Sequence, residues 1–179
     1  MSKVKNVTSE AGVLTALDEM SNLITEYQKE NFKFLSGESV ASVQSGQIKP
    51  DEQGRFIKSA INWFKDWLEK NKHSTEFEND QLGMVIIAPA GIKSAMSHKP
   101  RPIDVQALPV LPHVIKKARV ISITKDDTGK PIENIILAAP IVVDGQRCYI
   151  VIRLRKYYEI KGEAPRYYTQ AVAIETNTA

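Results

Sequence analysis

Histidine, arginine, threonine and tyrosine can assemble a metal-free site for phosphodiester cleavage, and this sequence holds them in two widely separated places. The segment GIKSAMSHKPRP, residues 91 to 102, offers His98 among Lys93, Ser97 and Lys99. Far downstream, Arg153 and Arg155 stand two residues apart in RCYIVIRLRK, and Tyr167 and Thr169 follow in RYYTQAVAI. Cutting RNA without a metal requires a base for the 2′-hydroxyl proton, an acid for the leaving oxygen, and cations for the charged phosphorane. Imidazole titrates near neutrality and serves either proton role, and guanidinium grips phosphate through two parallel N–H bonds. His98, Arg153 and Arg155 meet that minimum, with Thr169 and Tyr167 as hydrogen-bonding assistants. Lys93, Ser97, Lys99 and Arg147 are the substrate-binding candidates.

Plainer readings compete with each of these residues. His98 precedes Lys99-Pro100, a polar turn in which a histidine often only faces water. Paired arginines on an exposed strand often serve to discourage edge-to-edge aggregation. His113, between Pro112 and Val114, reads as a packed core histidine, and His73 lies in a polar loop. Ser94 and Ser97 lack the Gly-x-Ser-x-Gly turn that makes a serine a nucleophile. Carboxylates and histidines do not cluster, so no metal and no cofactor is expected.

These side chains must be positioned by elements that the periodicity defines. Apolar positions from Val13 to Tyr27 recur at helical spacing, and residues 36 to 54, rich in Ser, Gly and Gln with Pro50, read as a linker. Residues 1–50 are therefore expected to be an amphipathic helix and flexible linker, and 51–179 the main domain. From Arg55 the pattern Phe56, Ile57, Ala60, Ile61, Phe64, Trp67, Leu68 marks a second amphipathic helix, whose aromatic stripe reads as core. Met84 to Ala88 is a short strand ended by Pro89, and Val105 to Ala118 is mostly helical.

Beyond residue 118 the period becomes two. Residues 119 to 124, 134 to 143, 146 to 156 and 166 to 174 read as four strands, with Asp144-Gly145 a strong hairpin turn. The fold class is α+β: N-terminal helices packed on a four-stranded, or slightly larger, antiparallel sheet. In the third strand Cys148, Ile150, Ile152 and Leu154 should face the helices, leaving Arg147, Arg153 and Arg155 on the opposite face. In the last strand Tyr168, Val172 and Ile174 share one parity. Tyr167 and Thr169 are thereby expected beside the arginines on the open face.

Composition bounds the partners. With 42% hydrophobic and 25% charged residues the chain is an ordinary globular one, and no apolar run reaches the length of a membrane span. The single cysteine, Cys148, has no internal partner for a disulfide, and with no signal-like start this suits a reducing cytoplasm, that of a host cell. Residues 1 to 90 carry 10 Lys and Arg against 13 Asp and Glu, whereas residues 91 to 179 carry 14 against 8. The C-terminal half is the basic one, so a polyanion such as nucleic acid is the natural candidate partner for it, and the plainer reading is a solubilising surface.

The run from Phe56 to Ile174 resembles the small domains of phage and mobile-element polyvalent proteins, in the group of nuclease-like folds that includes barnase, EndoU, the colicin tRNA nucleases and RelE. The resemblance rests on IKSAINWF (57 to 64), GMVIIAPAGIKSAMSH (83 to 98), ALPVLPHVIKKARVI (107 to 121), AAPIVVDGQRCYIVIRL (138 to 154) and YYTQAVAI (167 to 174). It implies helices on a four-stranded antiparallel sheet that carries a metal-free ribonuclease site, with His98 a site residue. One departure is Leu137-Ala138-Ala139-Pro140, where related phage domains often carry a polar or aromatic group before Ala-Pro; its loss would suit a silent site. Two functions follow. One is a toxin-like, metal-independent ribonuclease of phage or prophage origin, with an immunity protein as partner and delivery on the virion as one route into the host. The other is a catalytically inactive binding module that inhibits a host defence protein or nuclease.

Overall fold

The computed structural model describes residues 29–97, 101–125, 132–157 and 166–176. The chain divides into two compact units, Met1–Gly37 and Glu38–Ala179. In the first, residues 29–36 are helical, and Ser36 Oγ donates to the Phe32 carbonyl at 2.6 Å in the last turn. The helix expected over residues 13 to 27 lies outside the described residues. The elements below all belong to the second unit.

Four helices, α1 (Ile57–Lys70), α2 (Pro89–Ser97), α3 (Pro102–Val105) and α4 (Ala107–Val114), accompany seven strands. The strands are β1 (Ala41–Val43), β2 (Glu76–Asn79), β3 (Gly83–Ile86), β4 (Arg119–Lys125), β5 (Ile132–Val143), β6 (Gln146–Tyr157) and β7 (Arg166–Thr176). They form one sheet in the order β1-β5-β6-β7-β3-β2, with β4 also paired to β5. The α+β class holds, and the four expected strands are β4 to β7. Asp144 and Gly145 both take positive φ, 50° and 79°, the geometry of a two-residue turn that matches strand twist.

The sheet is mixed rather than purely antiparallel. β1 runs parallel to β5, with Ala41 opposite Ile141, and β3 runs parallel to β7, with Val85 opposite Tyr167. Both strands come from chain that precedes the meander and therefore meet it across long sequence separations. β1 also lies inside the stretch that reads as linker. Its exit is tied down: Ser45 donates its amide to Asp144 Oδ1 (2.8 Å) and its hydroxyl to Oδ2 (2.5 Å), and Gly46 N–H donates to Gln106 Oε1 (3.0 Å).

One face of the sheet is packed by the helices. Phe64 of α1, Ile92 of α2 and Leu111 of α4 are fully buried, as are Leu137, Ile150, Ile152 and Leu154 of the central strands. Each such side chain contributes about 2 kcal/mol by leaving water. The aromatic stripe of α1 divides: Phe64 is core, but Trp63 and Trp67 are only half-buried, at the border of the apolar face. His113, expected in the core, is exposed beside Trp67, because α4 turns Leu111 and Val114 inward and leaves residue 113 outside.

Two buried polar residues tie the periphery to this core. Asn79 donates Nδ2 to the carbonyls of Ile115 (2.6 Å) and Ala118 (2.9 Å), and its Oδ1 accepts from the amides of Gln81 and Leu82 at 3.0 Å. It closes the end of α4 and the β2–β3 turn together. Asp104 accepts from Arg101 Nη2 (2.9 Å), Arg101 Nε (3.0 Å) and the Ile174 amide (3.0 Å), which fastens α3 to β7. Burial alone would raise the Asp104 carboxyl, but the hydrogen bonds from Arg101 and from the Ile174 and Arg101 amides outweigh it and hold the group below the ordinary carboxylate range.

Replacing Asn79 with Ala strands two carbonyls and two amides, and stability should fall by about 2–4 kcal/mol. In urea unfolding the midpoint drops while the slope stays constant. Asp104 gives a pH signature. A depressed carboxyl adds stability that is fully present above its unfolded value of about 4 and is lost as pH falls through the lower folded value. Asp104→Asn should therefore be less stable than the native chain at neutral pH, and the gap should narrow as pH falls below about 4.

Candidate functional site

The register between β6 and β7 decides which side chains meet. Arg153 stands opposite Ala171, but Leu154 stands opposite Thr169, so Gln170 is an extra residue in β7. Such a bulge inverts the alternation beyond it. Val172 and Ile174 face the helices before the bulge, and Thr169 and Tyr167 face them after it, all four buried. Thr169 and Tyr167 therefore do not join the arginines on the open face. It is Tyr168 that stands opposite Arg155 there, with Asn134 of β5 on the other side. Lys156 belongs with Tyr167: its ammonium lies 5.8 Å from that ring and 3.6 Å from the Glu133 carboxylate.

A cleft of about 580 Å³ opens where β3 and β7 part. The two strands run parallel as far as Ile86 and Tyr168; then Pro89 sends the chain into α2 while β7 continues. A crevice beyond the carboxyl ends of parallel strands is a common place for a ligand. Its lining includes Ile86, Gly91, Ser94, Tyr168, Thr169 and Gln170. Gly91 lies against the Thr169 carbonyl so closely that any Cβ at position 91 would overlap that oxygen. Glycine is required here for the approach of α2 to the sheet.

Two polar atoms at this junction are buried without a partner among the described residues: Thr169 Oγ1 and Arg155 Nε. They belong to consecutive register pairs, Leu154 with Thr169 and Arg155 with Tyr168. Thr169 is 1% exposed. An orphaned buried donor costs about 1–3 kcal/mol, so such atoms invite an explanation, and a ligand oxygen is one. The Thr169 hydroxyl lies on the helix side of the sheet, and the Arg155 guanidinium lies on the open face beside Tyr168.

The remaining sequence candidates are dispersed. Lys93 and Ser97 lie on the exposed side of α2, with Ser97 Oγ donating to the Lys93 carbonyl at 2.6 Å. His98 and Lys99 lie outside the described residues. Arg153 is exposed on the open face opposite Ile136. Arg147 sits at the far end of β6, opposite Val142, and lines a different cleft next to Asp144 and Cys148. Sequence reasoning missed the cleft itself. The one available signal was Gly91, directly after a Pro89-Ala90 helix start.

No helix among the described residues is long and apolar enough to cross a membrane. Because the Thr169 hydroxyl is buried without a partner, Thr169→Val should raise stability by about 1 kcal/mol, read as a higher urea midpoint. A loss of stability would mean that the hydroxyl is satisfied in solution.

A family model, large polyvalent protein-associated domain 3, matches residues 57–168, from the start of α1 to Tyr168 at the cleft. No curated protein and no solved structure matches the chain. The match covers α1 to α4, β2 to β6 with Arg153 and Arg155, and the start of β7, and it bears out the resemblance to polyvalent-protein domains of mobile elements. The chain belongs to the large polyvalent protein-associated domain 3 family.

Proposed function

We propose that this domain acts on RNA as a metal-independent ribonuclease whose phosphate site lies at the β6–β7 register break. The observation that carries the reading is the unpartnered buried Nε of Arg155, on the open face beside the register break together with Arg153. Arg155 binds a phosphate oxygen on the open face, and Thr169, buried on the helix side, supports the strand behind it. Arg153 adds positive charge on the same face as Arg155, and the excess of Lys and Arg after residue 90 draws the polyanion in.

His98 takes the proton from the 2′-hydroxyl. The 2′-oxygen then attacks phosphorus, the bond to the 5′-oxygen breaks, and the protonated His98 gives its proton to that leaving oxygen. The products are a 2′,3′-cyclic phosphate and a free 5′-hydroxyl, so no water is consumed in this step. Tyr167, turned to the helix side beneath Lys156, supports the strand from the core and does not touch the phosphate.

The test is cleavage of labelled tRNA and of total RNA in EDTA. The native protein yields cyclic-phosphate ends; His98→Ala lowers the rate by about 10²–10⁴-fold, the range of a lost general acid or base. Arg155→Ala lowers it while the fold is retained. RNA that is held but left uncut by the native protein would place the domain with the inactive binding modules. RNA neither held nor cut would remove the reading.

A further inference from the structure

We propose that a second cleft, walled by Trp63 and Trp67, is a stacking site for one unpaired base of the RNA. The proposal deepens the ribonuclease reading and rests on it. The cleft, about 690 Å³, lies between α1 and the chain leaving β1. Trp63 and Trp67 are one helical turn apart, so both indoles stand on one side of α1. His113 meets Trp67 edge-on, with centroids 6.1 Å apart and planes at 87°. Trp67 also packs against Phe77 at 6.0 Å and His73 at 5.5 Å, and His73 stacks on Phe77 at 4.3 Å. These rings hold the indole, which stays half-exposed.

The opposite wall is backbone and neutral side chains, Gln44 and Gln47 among them. It is rigid: Val43 pairs with Val143, and Asp144 fixes Ser45 through amide and hydroxyl. Those two hydrogen bonds from Ser45, the hydroxyl first and then the amide, hold the Asp144 carboxylate below its ordinary range. Among the described residues no carboxylate, lysine or arginine lines the cleft. A charged group gains nothing there. A flat, neutral ring with amide-like edges gains an indole face and glutamine partners, and a nucleobase is such a ring. Lys70 follows Trp67 by three positions on the same side of α1 and is exposed, so the phosphate next to a stacked base has a cation within reach.

Trp63 and Trp67 are the chain's two tryptophans, so tryptophan fluorescence, excited at a wavelength the six tyrosines do not absorb, reports on this cleft. Adenosine, uridine and a short single-stranded oligoribonucleotide are titrated against the full chain. Saturable quenching by the nucleosides, little changed by salt, and tighter quenching by the oligoribonucleotide that weakens with salt are expected. Trp63→Leu, which leaves Trp67 as reporter, weakens oligoribonucleotide binding by about tenfold or more. Lys70→Ala removes part of the salt dependence and leaves nucleoside binding unchanged.

Silent tryptophans with all three probes overturn the stacking site. So does quenching by an oligosaccharide or a proline-rich peptide where the nucleosides give none. If the tryptophans are silent while RNA is still cut, this proposal fails alone. If the oligoribonucleotide quenches but is never cut, the stacking site stands and the cleavage reading fails.

Discussion

The alternation of side chains along a strand admits no gradual adjustment, and one inserted residue in β7 controls everything near the α2 cleft. Without Gln170 as a bulge, Val172 and Ile174 facing the helices would carry Tyr168 inward and send Thr169 and Tyr167 to the other face. With it, Thr169 is pressed under α2, where Gly91 touches its carbonyl, and Tyr168 is released to stand beside Arg155. The register shift thus leaves the Thr169 hydroxyl buried on the helix side and the Arg155 guanidinium on the open face. A bulge bends its strand and raises the local twist, which suits the place where β3 leaves β7.

Much of the meander was legible because its signals are local. The parity of Cys148, Ile150, Ile152 and Leu154 correctly placed Arg153 and Arg155 on the opposite face, and Asp144-Gly145 marked its hairpin. The bulge was not legible, since adjacent Tyr167 and Tyr168 fit either phase equally well and neither Gly nor Pro stands at the break. β1 and β2 are three and four residues long, and β1 finds its partner about a hundred positions away. A segment so short carries too little periodicity to announce itself, and its Ser, Gly and Gln neighbours imitate a linker. Trp63 and Trp67 mislead for a different reason. Spacing shows which side of a helix is apolar but not how far the core extends across it.

The treatment of buried polar groups separates scaffold from site. Asn79, Asp104, Gln106 and Thr169 are the buried polar residues among those described. Asn79 satisfies four backbone groups, Asp104 is matched to Arg101 and Ile174, and Gln106 accepts from Gly46. Each spends its capacity on joining segments distant in sequence, which a core of aliphatic side chains does not do with the same directional selectivity. Thr169 breaks that pattern. A fold that pairs its other buried polar side chains so fully makes the exception at the crevice informative.

Charge is distributed by the same logic. At the rim of β2, Lys116 and Lys117 both reach Asp80, at 3.0 and 3.1 Å, and Lys156 is drawn to Glu133 within the sheet. These lysines are engaged in structure and are weak candidates for a ligand, because moving them would cost existing contacts. Arg153 is different: it projects from the middle of the longest paired strand, flanked by Ile136 and Ala171, neither of which carries charge. A guanidinium fixed at its base by two paired neighbours and exposed at its tip loses little backbone freedom when it meets an anion. The chemistry this sheet face can offer therefore depends on where its arginines stand more than on the total basic charge of the chain, and that position is set by the unbroken part of the β5–β6 register.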